Sequence, residues 1–104
     1  MLVEGYLDKR SPHSVFGIRP WQQRYFLLTE QALVYYESCE KRQKSIHESK
    51  GILSLPHVSS ISKHDEDIDG RCFDLRITGD DRVFELRAAD STDCERWVLC
   101  WCVN

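Results

Sequence analysis

Seven short runs of strand-forming residues precede a single amphipathic helical stretch, and that order constrains the fold more than any other feature of the sequence. The strands are predicted at Val3–Lys9, Trp21–Leu28, Ala32–Glu37, Gly51–Leu55, Val58–Ile61, Cys72–Ile77 and Val83–Ala88, and the helix at Asp90–Val103. A parallel α/β sheet needs helices alternating with strands, so this order excludes it. It predicts a mainly β protein: seven antiparallel strands in a partly open barrel or sandwich, capped by one C-terminal α-helix. The chain of 104 residues fits one domain spanning 1–104. It stops directly after an apolar helical stretch, as a segment cut from a larger multidomain protein would.

Trp21–Leu28 is the clearest strand, rich in aromatic and branched residues. With period two, Gln22, Arg24, Phe26 and Leu28 share one face, and Trp21, Gln23, Tyr25 and Leu27 the other. Phe73, Leu75 and Ile77 likewise point inward between Asp74 and Arg76. In the helix, Trp97 and Trp101 fall one turn apart and are large enough to plug an open end of the barrel. Ser91 or Thr92 is the expected cap, with Thr92 and Glu95 forming a capping box. Ser38 to Ser49 is polar and basic, and reads as a loop.

The net charge is −3, which speaks against bulk nucleic-acid binding. The charge is uneven: residues 1–50 carry eight Lys/Arg against six Asp/Glu, residues 51–104 six against eleven. An anion site is therefore expected in the first half. The five cysteines form no C-x-x-C pair and read as reduced thiols. His13, His47, His57 and His64 lack metal-ligand spacing, so no metal and no cofactor is expected. No G-x-S-x-G, no P-loop and no activated Cys–His setting is present, so an enzyme is not expected. The apolar runs are too short for a membrane span.

The ordered set Glu4-Gly5-Tyr6-Leu7, Lys9, Trp21-x-x-Arg24-Tyr25-Phe26-x-Leu28, Leu33-x-Tyr35, Gly51-Ile52-Leu53, Phe73, Phe84-x-Leu86-x-Ala88 and Glu95-x-Trp97 resembles the pleckstrin-homology (PH) family over nearly the whole chain. The resemblance implies a seven-stranded partly open barrel with one capping helix, as the pattern alone predicts. It also implies a phosphoinositide site. Lys9 and Arg24 match the family's basic positions in the first two strands, Tyr35 matches a frequent third-strand tyrosine, and Lys50 a basic residue before the fourth strand. Gln22 occupies a slot that is basic in binding members, which removes one charge aimed at a phosphate.

Each candidate has a plainer reading. Lys9 could be a solvated strand end and Arg24 an internal ion pair; Tyr35 and Lys50 could be structural. Arg10, Arg19, Lys41, Arg42 and Lys44 lie on the two loops expected to flank the mouth, where charged runs are usually solvated. Val15, Phe16 and Ile18 form an apolar trio for shallow insertion into a bilayer, or else pack back on the barrel. The expected function is a phosphoinositide-binding, membrane-targeting module of a signalling protein, cytoplasmic and peripherally membrane-associated. The alternative is a protein-interaction or autoregulatory domain with little lipid affinity, in contact with a protein partner or another domain of the parent chain.

Overall fold

The computed structural model describes residues 2–102 except 12, 13, 15, 45–47, 65, 66 and 82. His13, Val15 and His47 of the sequence reading lie outside the described residues, as does the end of the predicted helix at Val103. The strands are β1 (Val3–Arg10), β2 (Trp21–Leu28), β3 (Ala32–Tyr36), β4 (Ser49–Ser54), β5 (Val58–Lys63), β6 (Cys72–Ile77) and β7 (Val83–Arg87). Among the described residues two α-helices accompany them, α1 (Cys39–Lys44) and α2 (Ser91–Cys102), with a 3-10 turn at Leu55–His57. The sheet order is β4-β3-β2-β1-β7-β6-β5. Every pairing is antiparallel.

Two meanders, β1–β4 and β5–β7, meet along β1. That strand pairs with β2 from Val3↔Leu28 to Arg10↔Trp21. Its register with β7 is confined to Asp8↔Arg87 and Lys9↔Leu86. The short join lets the sheet fold over, so that Leu7, Phe26, Leu28 and Leu33 from one meander pack with Phe73, Leu75 and Leu86 from the other. The β4 and β5 edges stand at opposite ends of the order, which makes the barrel partly open, as predicted.

α2 closes this core. Trp97 is 0% exposed, and Cys94 beside it is also fully buried. Trp101 is half-buried against the same cluster. The cap differs from the expected one. The Asp90 carboxylate accepts the Asp93 amide at 2.8 Å. The helix begins at Ser91, so Asp90 precedes it and its carboxylate reaches the third helical amide. Glu95 is turned instead to Lys63, 3.0 Å away.

α1 lies within the segment read as a loop. Ser38 Oγ accepts the Lys41 amide at 3.3 Å, and Glu40 and the basic Lys41, Arg42 and Lys44 fall at the favourable ends of the helix dipole. The helix lies over the outer face of the first meander, where Cys39 packs on a second cluster built of Tyr25, Val34 and Tyr36. Cys39, Cys72 and Cys94 are free thiols.

Candidate functional site

The register decides which side chains share a face. Lys9 pairs with Gln22, Leu7 with Arg24, Phe26 with Tyr35, and Tyr35 with Gly51. Cross-strand partners project to the same side of a sheet. Lys9, Gln22, Arg24 and Tyr35 therefore lie on the side that carries Phe26 and Leu28 into the core, but toward its open end.

Lys9 and Tyr35 meet there. The Lys9 ammonium lies 5.8 Å from the Tyr35 ring centroid and 5.2 Å from that of Phe84. Tyr35 itself is stacked on Phe26, centroids 5.2 Å apart. Burial pushes the Lys9 ammonium below its ordinary pKa, and the positive charge of Arg24 pushes it the same way. Burial raises the Tyr35 phenol, while Arg24 works against that rise. All three groups therefore sit in one another's field.

Neither cation has a counterion among the described residues. Arg24 spends one nitrogen on the carbonyl of its neighbour Gln23, at 2.8 Å. A half-buried ammonium over aromatic rings, with a second positive charge acting on it, is electrostatically costly without an anion. Gly51 makes that floor possible: a Cβ at this position would lie 2.5 Å from the Tyr35 hydroxyl.

The remaining candidates divide. Lys50 is exposed and occupies the irregularity where β4 shifts register, between Gly51, opposite Tyr35, and Ser49, opposite Tyr36. Arg10 and Arg19 lie away from the mouth: both reach Glu85, Arg19 at 2.7 Å and Arg10 at 3.5 Å. Arg10 is the cross-strand partner of Trp21 and packs on its ring, 5.5 Å from the centroid. Both belong to the outer face. Lys41 pairs with Glu48 at 3.7 Å and Arg42 with Glu4 at 3.4 Å, while Lys44 is exposed at the end of α1.

Phe16 is 100% exposed and Ile18 is 67% exposed. Phe16 also has φ of 52°, a left-handed conformation that is uncommon for a bulky side chain. The described part of the apolar trio thus points to solvent.

Sequence reasoning gave no site role to three residues that matter here, although Gly51 and Phe84 stand in the motif set. Phe84 completes the floor, Gly51 gives Tyr35 its space, and Glu85 neutralises two of the expected lipid grips. His64, Asp74 and Glu85 come together within 4.8 Å. His64 Nδ1 is 2.9 Å from Asp74 Oδ2, and both oxygens of Glu85 are engaged by arginines. His64 and Glu85 thus have protein partners, while Asp74 Oδ1 is buried without a hydrogen-bond partner among the described residues.

Comparison with known proteins agrees with the fold. The PH domain family model matches residues 1–100. Src kinase-associated phosphoprotein 1 of Xenopus tropicalis is 32% identical over 100 residues, which is 91% of this chain and 27% of that protein. Src kinase-associated phosphoprotein 2 of Homo sapiens is 31% identical over 102 residues, 94% of this chain and 26% of that one. The chain thus spans about a quarter of the length of these relatives. Among solved structures, the human PH domain of oxysterol binding protein-related protein 11 superposes with a TM-score of 0.74 at 30% identity, covering 95% of this chain and 75% of that one. The Slm1 PH domain in complex with inositol 4-phosphate gives a TM-score of 0.77 at 17% identity, covering 97% of this chain and 94% of that one, a likeness of fold. On its sequence match and its architecture, the chain belongs to the PH domain family.

Proposed function

We propose that the domain docks its parent protein on membranes by gripping the phosphates of a phosphoinositide headgroup. One observation supports the reading most: Lys9 lies over the rings of Tyr35 and Phe84, Arg24 stands on the same face of the sheet, and neither cation has a counterion among the described residues. An anion between them would relieve their mutual repulsion and the cost of their partial burial. Arg24 offers a planar fork to phosphate oxygens, Lys9 a point charge, and Tyr35 a hydroxyl. Lys50 adds a positive charge at the rim. The exposed Phe16 and Ile18 give the same domain an apolar tip for the bilayer interface. Its neighbours include Slm1 PH complexes with inositol 4-phosphate and with phosphoserine; both ligands carry the phosphate monoester proposed here. No helix is long and apolar enough to cross a membrane among the described residues, which suits peripheral attachment. In the relatives' context the parent would be a signalling adaptor.

The test is vesicle co-sedimentation at fixed salt, with phosphoinositide vesicles compared against phosphatidylserine vesicles of equal charge. The domain is expected to prefer the phosphoinositide. Phe16→Ala/Ile18→Ala should lower vesicle affinity about tenfold through lost apolar burial. If phosphoinositide vesicles retain no more protein than the phosphatidylserine control, the protein-interaction reading replaces this one.

A further inference from the structure

Glu85 stands on β7, 66 residues from Arg19, yet it grips the neck of the β1–β2 loop. Its side chain is only 12% exposed. One carboxylate oxygen accepts from Arg19 Nη2 at 2.7 Å, and the other lies 3.5 Å from Arg10 Nη1. Arg10 is where the chain enters the loop, and Arg19 is near its exit. The two sides are also tied to each other: Arg10 Nε donates to the Arg19 carbonyl at 3.3 Å, and the Ser11 amide to the Pro20 carbonyl at 2.8 Å. Trp21 holds the Arg10 guanidinium from its ring face. The neck is therefore fastened both to itself and to the second meander.

Beyond that neck stand the exposed Phe16 and Ile18. Before it stands Lys9, next in the chain to Arg10 and facing the mouth. A tip that enters the bilayer while Lys9 and Arg24 hold a headgroup must keep a fixed offset from them. The charge-assisted bond from Arg19 to this mostly buried carboxylate, with the Arg10 ion pair beside it, is the strongest tie in the neck.

We propose that Glu85 is a positioning residue for membrane docking: it clamps Arg10 and Arg19 so that the loop tip and the phosphate grips engage one membrane together. This rests on the membrane reading above. Glu85 touches neither headgroup nor lipid, and Arg10 and Arg19 serve the clamp instead of the ligand.

The test is a coupling experiment on the whole domain, using Glu85→Gln alone and in the Phe16→Ala/Ile18→Ala background. Glu85→Gln should weaken binding to phosphoinositide vesicles about fivefold, although it makes the protein more positive. Affinity for a soluble inositol polyphosphate should stay unchanged, and Glu85→Asp should recover part of the vesicle binding. In the double-alanine background Glu85→Gln should cost nothing further. Should Glu85→Gln fold poorly, Arg19→Gln opens the same clamp from a half-buried loop position and should show the same coupling. The clamp is refuted by unchanged or stronger vesicle binding, by a parallel loss of soluble headgroup binding, or by a loss that persists in the double-alanine background. If the double-alanine protein itself binds vesicles normally, the membrane role of the tip fails first, and the clamp falls with it.

Discussion

Gly51 shows how one missing methyl group shapes the mouth. It pairs with Tyr35 across the β3–β4 ladder, and the phenol ring lies over the space where a Cβ would be. Gly51→Ala would place that carbon 2.5 Å from the Tyr35 hydroxyl, so the ring must swing out of the floor. The substitution should weaken headgroup binding by about tenfold, through the lost Tyr35 contact and the displaced Lys9. Titration with a soluble inositol phosphate measures it; unchanged affinity would show that Tyr35 takes no part in binding the ligand. The basic residues of the mouth were legible in the sequence because period two puts Arg24 on the face of Phe26 and Leu28, where a charge needs a reason. The neutralised ones were not. Nothing local to Arg10 or Arg19 announces Glu85, since the contact depends on how β7 docks beside β1.

At the scale of elements, the strands and α2 were readable because each carries its own pattern: alternation in β2 and β6, and the Trp97–Trp101 spacing in α2. α1 was not. Six residues make less than two turns, too short for local propensity to hold a helix, and its support is tertiary. The Tyr6 hydroxyl accepts the Cys39 amide at 3.1 Å, and Arg42 reaches Glu4. Beneath it Tyr25 lies edge-on to Tyr6, centroids 5.0 Å apart. Burial, with the Glu4 charge adding to it, pushes the Tyr25 phenol up to about 12. An unfolded chain loses that proton near pH ~10. Between the two values the folded state binds more protons, so stability falls as pH rises through this window. Thermal melts from pH 9 to 12 should show a decline that Tyr25→Phe makes shallower. Equal declines in both proteins would mean that the phenol titrates freely.

The whole molecule sets a local site against a global charge. The total is −3, with the excess of acid in residues 51–104, so attraction to an anionic surface must come from the β1–β4 mouth. Gln22 is the weak point. It sits directly opposite Lys9 in the β1–β2 register, on the face of Arg24, where in the proposed site it would address the same phosphate. The most direct test of the account is therefore the order of affinity of three proteins for phosphoinositide vesicles at one salt concentration. Gln22→Arg should bind tighter than the unmodified domain, and Arg24→Ala weaker by about tenfold or more. Phosphatidylserine vesicles measured alongside remove the general effect of added charge. Should Arg24→Ala bind phosphoinositide vesicles as well as the unmodified domain does, the mouth is not the lipid site and the central claim is wrong.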